Sequence, residues 1–136
     1  MSATFELDAR LAGDTVVVGD LPLCRVLLMR DQRFAWLVLV PRHAGLVEVA
    51  DLAEADRAAL WREVDQAGAA LRTVAPCDKL NIGALGNIVR QLHVHVVARV
   101  EGDAAWPGPV WGSGKAEPYA DIEGMAERMR RALVLG

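Results

Sequence analysis

The chain has 136 residues, of which 53% are hydrophobic and 24% are charged, and this composition is typical of one soluble domain with its own core. Its formal net charge of −3 and its short apolar runs exclude a general attraction to nucleic acid and a membrane-spanning segment. With only Cys24 and Cys77, and no apolar signal-peptide core near the N-terminus, we expect residues 1–136 to form a single cytoplasmic domain with free thiols and no membrane partner.

The first part of the chain predicts a short helical turn followed by three antiparallel strands. The turn is expected at residues 7–12, and runs of β-branched and apolar residues predict strands at 15–18, 23–29 and 34–40. Gly19-Asp20 forms the turn between the first two strands. The third run is apolar at almost every position, which predicts a strand that is buried on both faces.

The second part predicts a long amphipathic helix, because apolar residues recur at spacings of three and four. The helix is expected to follow Asp51, whose side chain is suited to cap it, and to end at Pro76. Its apolar stripe comprises Leu60, Val64, Ala67, Leu71 and Val74. A strand is predicted next, at residues 79–84.

The C-terminal residues 105–136 predict an arm followed by a second helix. Trp and Pro residues within 104–114 indicate a rigid extended arm, and apolar spacing after Pro118 indicates a helix. We expect Met125 and Met129 of this helix to lie in the core or in a dimer contact. The order of elements predicts an α+β domain: an antiparallel sheet, one long helix packed on it, and a C-terminal helix.

Between these elements, residues 89–100 alternate strictly between apolar and mostly polar side chains. The even positions are Leu92, Val94, Val96, Ala98 and Val100. The odd positions are Gln91, His93, His95, Val97 and Arg99. This period of two predicts a strand with one face in the core and one face that carries two of the three histidines of the chain.

The two imidazoles of this strand suggest phosphate chemistry. Side chains at i and i+2 on a strand are about 6–7 Å apart at the backbone, so His93 and His95 can reach one phosphate, one as nucleophile and one as hydrogen-bond donor. Upstream, Gly86 permits close backbone approach to a ligand, and the Asn87 amide can donate to an anion. Two alternatives remain open: a two-histidine metal site, for which no Cys pair or nearby carboxylate completes the ligand shell, and a histidine pair with no role.

The stretch GNIVRQLHVHVVAR, residues 86–99, resembles without a gap the signature of the histidine triad (HIT) superfamily, G-Q-x-V-x-H-φ-H-φ-H-φ-φ. In this register Gln91 replaces the first histidine, His93 corresponds to the nucleophile and His95 to the last histidine. A register shifted by one histidine loses the alignment of Gly86 and Arg99. Residues 37–42 and 80–81 are similar to other strands of the family, and the Trp-Pro arm resembles a bacterial diadenosine-polyphosphate-hydrolase-like subgroup.

The resemblance implies a HIT-like fold, a homodimer, and hydrolysis or transfer at the α-phosphate of a nucleotide conjugate, without a metal or cofactor. Dinucleoside polyphosphates and nucleoside phosphoramidates are the implied substrates. His93 would form a nucleotidyl-histidine intermediate, His95 and Asn87 would stabilise phosphate oxygens, and Gln91 would hold the local network. Because an amide does not titrate, the alternative is a nucleotide-binding module with little or no turnover.

The same resemblance suggests further contacts with the nucleotide. Asp31 is the candidate ribose-binding acid, or else a solvated turn residue; Asn81 is a candidate near ribose and phosphate, or else a turn residue. Gly86 and Arg99 are also expected to bind phosphate, although Arg99 can instead pair with an acid.

Four further side chains are candidates for the site, and three of them have two interpretations each. Trp106 and Trp111 either stack on the base or pin the arm to the core or to a second subunit. Trp36 occupies a position where many family members have Gly-His, so it fills the base pocket differently. His43 corresponds to a loop histidine of the family, or is simply a surface residue.

Overall fold

A five-stranded antiparallel sheet in the order β1-β2-β3-β5-β4 forms the centre of the molecule, described by a computed structural model over residues 4–135. The strands are β1 (Thr15–Asp20), β2 (Cys24–Met29), β3 (Ala35–Pro41), β4 (Lys79–Gly83) and β5 (Val94–Arg99). The α-helices are α1 (Ala9–Asp14), α2 (Glu54–Val74) and α3 (Ile122–Ala132). The predicted α+β architecture is confirmed, whereas the extent of a single domain over residues 1–136 stays a prediction. No helix within residues 4–135 is long and apolar enough to cross a membrane.

Strand β3 lies in the middle of the sheet and is buried along almost its whole length, as its continuous apolar sequence predicts. It pairs with β2 on one side and with β5 on the other, where Val38 lies opposite His95. On its far side β5 pairs with β4, and Gly83 also lies opposite His95. His95 is therefore anchored between two neighbouring strands rather than on a sheet edge.

Helix α2 packs on one face of the sheet through the predicted stripe, of which Leu60, Val64, Ala67 and Leu71 are buried. A Cβ at Gly68 would approach Leu80 Cδ1 to 2.8 Å, so this glycine permits the close crossing of α2 over β4. The predicted cap was wrong: α2 follows Ala53, and the Asp51 carboxylate accepts from the Val47 and Glu48 amides. Asp51 is the last residue of the 3₁₀ turn Val49–Asp51, and its side chain reaches back to the amide of Glu48, which precedes that turn.

The two faces of the sheet carry separate apolar clusters. The face under α2 and α3 holds the even-numbered residues Val94, Val96 and Ala98, together with Met125 and Met129, so the core alternative for the methionines is confirmed. The other face is also covered, by α1 and residues 105–111. Its buried cluster comprises Leu11, Leu27, Phe34, Trp36, Val38, Val40, Val97 and Val110.

Three further predictions differ from the structure. Gly19 and Asp20, the predicted turn, are instead the last two residues of β1 and pair with β2. Strand β5 begins only at Val94, because the preceding residues bond elsewhere: Leu92 donates its amide to Leu46 O, and the Gln91 side chain bonds to the N-terminal segment. Residues 84–93 thus form a loop, which we call the phosphate loop after the phosphate contacts that the resemblance implies for Gly86 and Asn87. Residues 104–114 are a succession of tight turns rather than an extended arm, with Gly108 donating to Ala105 O and Ser113 donating to Val110 O.

Candidate active site

A groove of about 810 Å³ lies on the sheet face that is turned away from α2. Its walls are α1, the end of β2, the phosphate loop and residues 110–116. Polar and charged side chains in these walls are Arg10, Asp14, Arg30, Asp31, Arg33, Asn87, His93, His95 and Ser113. Apolar residues are Leu11, Met29, Trp36, Leu85, Ile88, Val89, Val110 and Trp111. This volume lies within the range typical of small-molecule sites, and both histidines of the signature line the groove.

His93 is the last residue of the phosphate loop and is 6% exposed. Its Nδ1 lies 2.6 Å from the backbone carbonyl oxygen of Gln91. Because a carbonyl oxygen only accepts hydrogen bonds, Nδ1 of His93 carries the proton and donates it. In the neutral ring, Nε2 then has a free lone pair, which is the form required of a nucleophilic imidazole.

His95 is enclosed by three rings. The imidazole centroid lies 4.9 Å from that of His93, 5.7 Å from that of Trp36 and 5.4 Å from that of Trp111. The Trp36 indole Nε1 donates to His95 Nδ1 at 3.0 Å. Burial, with a smaller contribution from His93, lowers the pKa of His95 to about 4, so the ring is neutral at physiological pH.

Gln91 is directed toward the N-terminal segment. Its amide oxygen accepts from the Asp8 backbone amide at 2.8 Å, and its amide nitrogen donates to Glu6 O at 2.8 Å. The side chain therefore joins the phosphate loop to residues 6–8, while its backbone carbonyl holds His93. The sequence reveals no sign of this partner, which lies more than 80 positions away.

Gly86 and Asn87 line the groove from the phosphate loop. Gly86 has φ of 76°, a left-handed conformation that glycine adopts without strain, and it turns the loop just before Asn87. Asn87 is exposed, so its amide is accessible to a ligand in the groove. These two residues and both histidines thus border the same space.

Asp31 lies in the groove wall, but its carboxylate is already engaged. It accepts from the Arg33 side chain at 2.8 Å, from the Arg33 amide and from the Glu117 amide. Burial opposes its ionisation, yet these bonds hold the pKa of Asp31 below its usual value. Asp31 is therefore not a solvated turn acid, and its contact with a ribose stays a prediction. It joins the β2–β3 connection to the C-terminal part of the chain.

Asn81 and Arg99 lie outside the groove. Arg99 is buried, donates two bonds to Asp103 at 2.8 and 2.9 Å, and donates a third to Asn81 Oδ1 at 2.8 Å. Its guanidinium also stacks 5.5 Å from the Trp106 ring. Arg99 thus pairs with an acid, as one of its two interpretations expected, and ligand contacts of Asn81 and Arg99 stay predictions.

The remaining candidates lie in the groove, on the C-terminal arm or at the surface. Trp36 and Trp111 line the groove, whereas Trp106 covers Arg99 as a part of the arm. His43 is exposed and lies 3.4 Å from Asp56, which fits the surface alternative. Within residues 4–135, no three His, Cys, Asp or Glu side chains are arranged to hold a metal ion.

Comparisons with known proteins agree on one family. The model of the HIT domain matches residues 10–102. A histidine triad protein from Sinorhizobium meliloti is 51% identical, with a TM-score of 0.91 over 95% of this chain and 97% of that chain. One from Bradyrhizobium japonicum is 44% identical, with a TM-score of 0.92 over 96% and 99%. One from Marinobacter aquaeolei is 38% identical, with a TM-score of 0.93 over 97% and 98%. No curated protein sequence matches the chain significantly.

Proposed function

The chain belongs to the HIT domain family, and on this premise we propose that it is a nucleotide hydrolase or nucleotidyl transferase. The proposed substrates are nucleotide conjugates attacked at the α-phosphate, such as dinucleoside polyphosphates or nucleoside phosphoramidates. The observation that carries the proposal is the bond between His93 Nδ1 and the Gln91 carbonyl oxygen. It directs the free lone pair of a groove-lining imidazole to Nε2.

In the first step, His93 Nε2 attacks the α-phosphorus. An N–P bond forms while the bond from phosphorus to the leaving group breaks, and the leaving group departs with the electron pair and takes a proton from solvent. In the second step, water attacks the nucleotidyl-histidine and loses a proton to solvent, the N–P bond breaks with its electron pair returning to Nε2, and a nucleoside monophosphate and neutral His93 are released. An alcohol, amine or phosphate in place of water makes the reaction a transfer.

His95 and Asn87 are the proposed partners of the phosphate oxygens. The ring centroids of His93 and His95 are 4.9 Å apart, a spacing that lets both imidazoles contact one phosphate. Because His95 is neutral, it assists as a hydrogen-bond donor rather than as a charged acid. Preorganised donors of this kind stabilise the charge that develops on the equatorial oxygens. Gly86 contributes by letting the backbone approach the phosphate.

The rest of the groove suits the other parts of such a substrate. Leu11, Met29 and Val110 offer apolar surface for a nucleoside, and the exposed Arg10 and Arg30 provide positive charge for additional phosphates. A volume of about 810 Å³ accommodates more than a mononucleotide. We propose no chemical role for Gln91, which acts by positioning the phosphate loop.

A second candidate function is nucleotide binding with little turnover. The observation in its favour is that the amide at the first triad position bonds to residues 6 and 8 and cannot exchange protons with the substrate. The two functions make different demands on His93: catalysis requires Nε2 to form a covalent bond, whereas binding requires only a hydrogen bond.

The test is incubation of the purified protein with diadenosine polyphosphates and adenosine phosphoramidates in the presence of EDTA. We expect turnover that EDTA does not affect, that His93→Ala abolishes and that the surface control His43→Ala leaves unchanged. Acid quenching followed by peptide mass spectrometry should locate a nucleotidyl adduct on His93. An adduct on His95 would refute the assigned roles, and tight AMP or GMP binding without turnover would establish the binding function instead.

We also propose that the protein is a homodimer, as the family resemblance implies. Strand β4 is an edge of the sheet, and Ile82, Leu85 and Ile88 on it and in the phosphate loop are 45%, 45% and 76% exposed. Such a row of exposed apolar side chains is typical of an interface. Light scattering should give twice the monomer mass, and Ile88→Lys should shift the mass toward that of the monomer. A monomer at all concentrations would contradict the proposal.

A further inference from the structure

We infer that Trp36 is a positioning residue that keeps the proton of the neutral His95 ring on Nε2 and thereby makes Nε2 a hydrogen-bond donor toward the substrate. The inference deepens the proposed function and rests on it for the role in the reaction. Its structural part, the position of the proton, holds or fails independently of any activity.

The contact between the two side chains determines which nitrogen is protonated. An indole Nε1–H is a donor only, and Trp36 directs it at His95 Nδ1 over 3.0 Å. The accepting nitrogen must lack a proton, so the neutral ring carries its proton on Nε2. Both side chains are buried, at 7% and 6% exposure, so water does not offer the indole an alternative acceptor.

Sheet geometry explains why the two residues meet. Trp36 lies opposite Val97, and His95 lies opposite Val38, in the antiparallel pair of β3 and β5. Trp36 and His95 are therefore diagonal neighbours on the same sheet face, a separation that a long aromatic side chain spans. The rigidity of two paired strands holds the bond in place.

The surroundings of His95 prevent a second proton from binding. From β3 it meets Trp36, from β4 Gly83, from the C-terminal arm Trp111, and from the phosphate loop His93. Of these neighbours only His93 titrates, and none is an acid that could compensate a positive charge. Protonation at Nδ1 would also leave the indole N–H buried without a partner. Consistent with this, burial and His93 lower the pKa of His95 to about 4.

For the reaction, the consequence is that the two histidines carry their protons on different ring nitrogens. The Gln91 carbonyl places the proton of His93 on Nδ1 and frees Nε2 to attack, whereas Trp36 places the proton of His95 on Nε2 and makes that atom a donor. Two neighbouring imidazoles thereby act oppositely on one phosphate without either of them changing its charge before the attack.

The first test is ¹⁵N-edited NMR of the imidazoles in the wild-type protein, with no substrate. We expect His95 Nδ1 to resonate as an unprotonated nitrogen that couples through the hydrogen bond to the Trp36 indole nitrogen, and His95 not to titrate between pH 5 and pH 8. A protonated Nδ1 overturns the inference whether or not the protein hydrolyses nucleotides. This measurement requires no variant and therefore no assumption about folding.

The second test compares Trp36→Phe with two matched Trp→Phe variants. Trp36→Phe keeps an aromatic ring but removes the donor, so the coupling disappears and the pKa of His95 rises, while burial and His93 still hold it below the ordinary value of about 6.5. Trp111→Phe, which alters the other tryptophan that contacts His95, should leave the His95 signals in the wild-type pattern. Trp61→Phe, on the exposed side of α2, should leave both signals and activity unchanged.

In kinetics, Trp36→Phe should lower kcat on the order of 10-fold with little change in KM, less than the roughly 100-fold expected for loss of an entire oxyanion donor. The pH profile should gain an acid limb near the raised pKa of His95. If the NMR signals of Trp36→Phe change as expected but its kcat and pH profile equal those of the wild type, the positioning role is refuted. Expected NMR signals with no hydrolysis by the wild-type protein would refute the proposed function and leave the assignment of the proton intact.

Discussion

The backbone carbonyl oxygen of Gln91 lies 2.6 Å from Nδ1 of His93, and this hydrogen bond keeps the proton of the neutral His93 ring on Nδ1. The contact uses the main chain, so it does not depend on which side chain occupies position 91. Under the proposed alignment, a HIT domain with glutamine at the first triad position still leaves the Nε2 lone pair of His93 free for the proposed attack. The side chain of Gln91 is left to hold the N-terminal segment.

Replacing the Gln91 side chain should therefore affect stability and substrate affinity more than the chemical step. Gln91→Ala removes two hydrogen bonds to residues 6 and 8, which should lower the free energy of unfolding by about 1–3 kcal/mol. We expect KM to rise, because α1 forms a wall of the groove, and kcat to change less than 5-fold.

Gln91→His is the informative partner of that variant. An imidazole cannot both donate to Glu6 O and accept from Asp8 N with the geometry of an amide, so restoring the family residue should also weaken the N-terminal contact. We expect no gain in kcat. A large gain, measured in steady-state kinetics beside thermal melts, would show that position 91 takes a direct part in the chemistry.

Substitutions of His95 should separate hydrogen-bond donation from acid catalysis. His95→Gln offers an amide N–H near the position of Nε2, whereas His95→Asn is too short to do so. If His95 only donates a hydrogen bond, His95→Gln should retain about 10-fold more kcat than His95→Asn. Equal and large losses in both variants, with folding verified by circular dichroism, would favour an acid role.

The Arg99–Asp103 ion pair should contribute to stability and not to activity. Asp103→Ala leaves the Arg99 guanidinium buried without its carboxylate and should cost about 3 kcal/mol in denaturant unfolding. Glu101→Ala, on the exposed part of the same turn, should cost less than about 0.5 kcal/mol. A normal KM in Asp103→Ala at low temperature would agree with the location of this pair outside the groove.

The Arg99–Asp103 pair also makes the free energy of unfolding depend on pH, and the direction of this dependence follows from the pKa of Asp103. Arg99, against the opposing effect of burial, lowers the pKa of Asp103 to about 2 in the folded protein, below the usual value of about 3.9. A group with a lowered folded pKa stabilises the protein above the unfolded pKa, and its contribution is lost as the pH falls from about 4 to about 2. Unfolding curves of wild type and Asp103→Ala should converge in that interval.

Glu63 of α2 is a buried carboxylate that clamps the start of β2. Its two oxygens accept from the Leu23 amide at 2.9 Å and the Cys24 amide at 2.7 Å. Glu63→Ala should lower the free energy of unfolding by about 2–4 kcal/mol, because two buried amides lose a charged acceptor. Asp65→Ala, two residues further along α2 on its exposed side, is the matched control and should change stability by less than about 0.5 kcal/mol.

The sequence by itself determined the features that depend only on residues close together along the chain. Apolar periodicity predicted the strands, the long helix and the buried β3, because a side chain's face follows from its position within one element. The spacing of His93 and His95 likewise indicated two imidazoles at one phosphate, since two residues on one extended segment have a known separation. The family signature is also a contiguous stretch.

What only the tertiary structure decided depends on partners that are distant in sequence. Nothing near Gln91 indicates that its side-chain amide will bond to residues 6 and 8. Those bonds direct Gln91 away from the sheet, so β5 begins at Val94 and not at the predicted residue 89. Trp36 and His95 meet only because β3 and β5 pair in one particular register, and Arg99 leaves the groove because Asp103 and Asn81 hold it elsewhere. Hydrogen-bond partners across a sheet depend on register, which a single sequence does not display, and it is this register that brings the Trp36 donor to Nδ1 of His95.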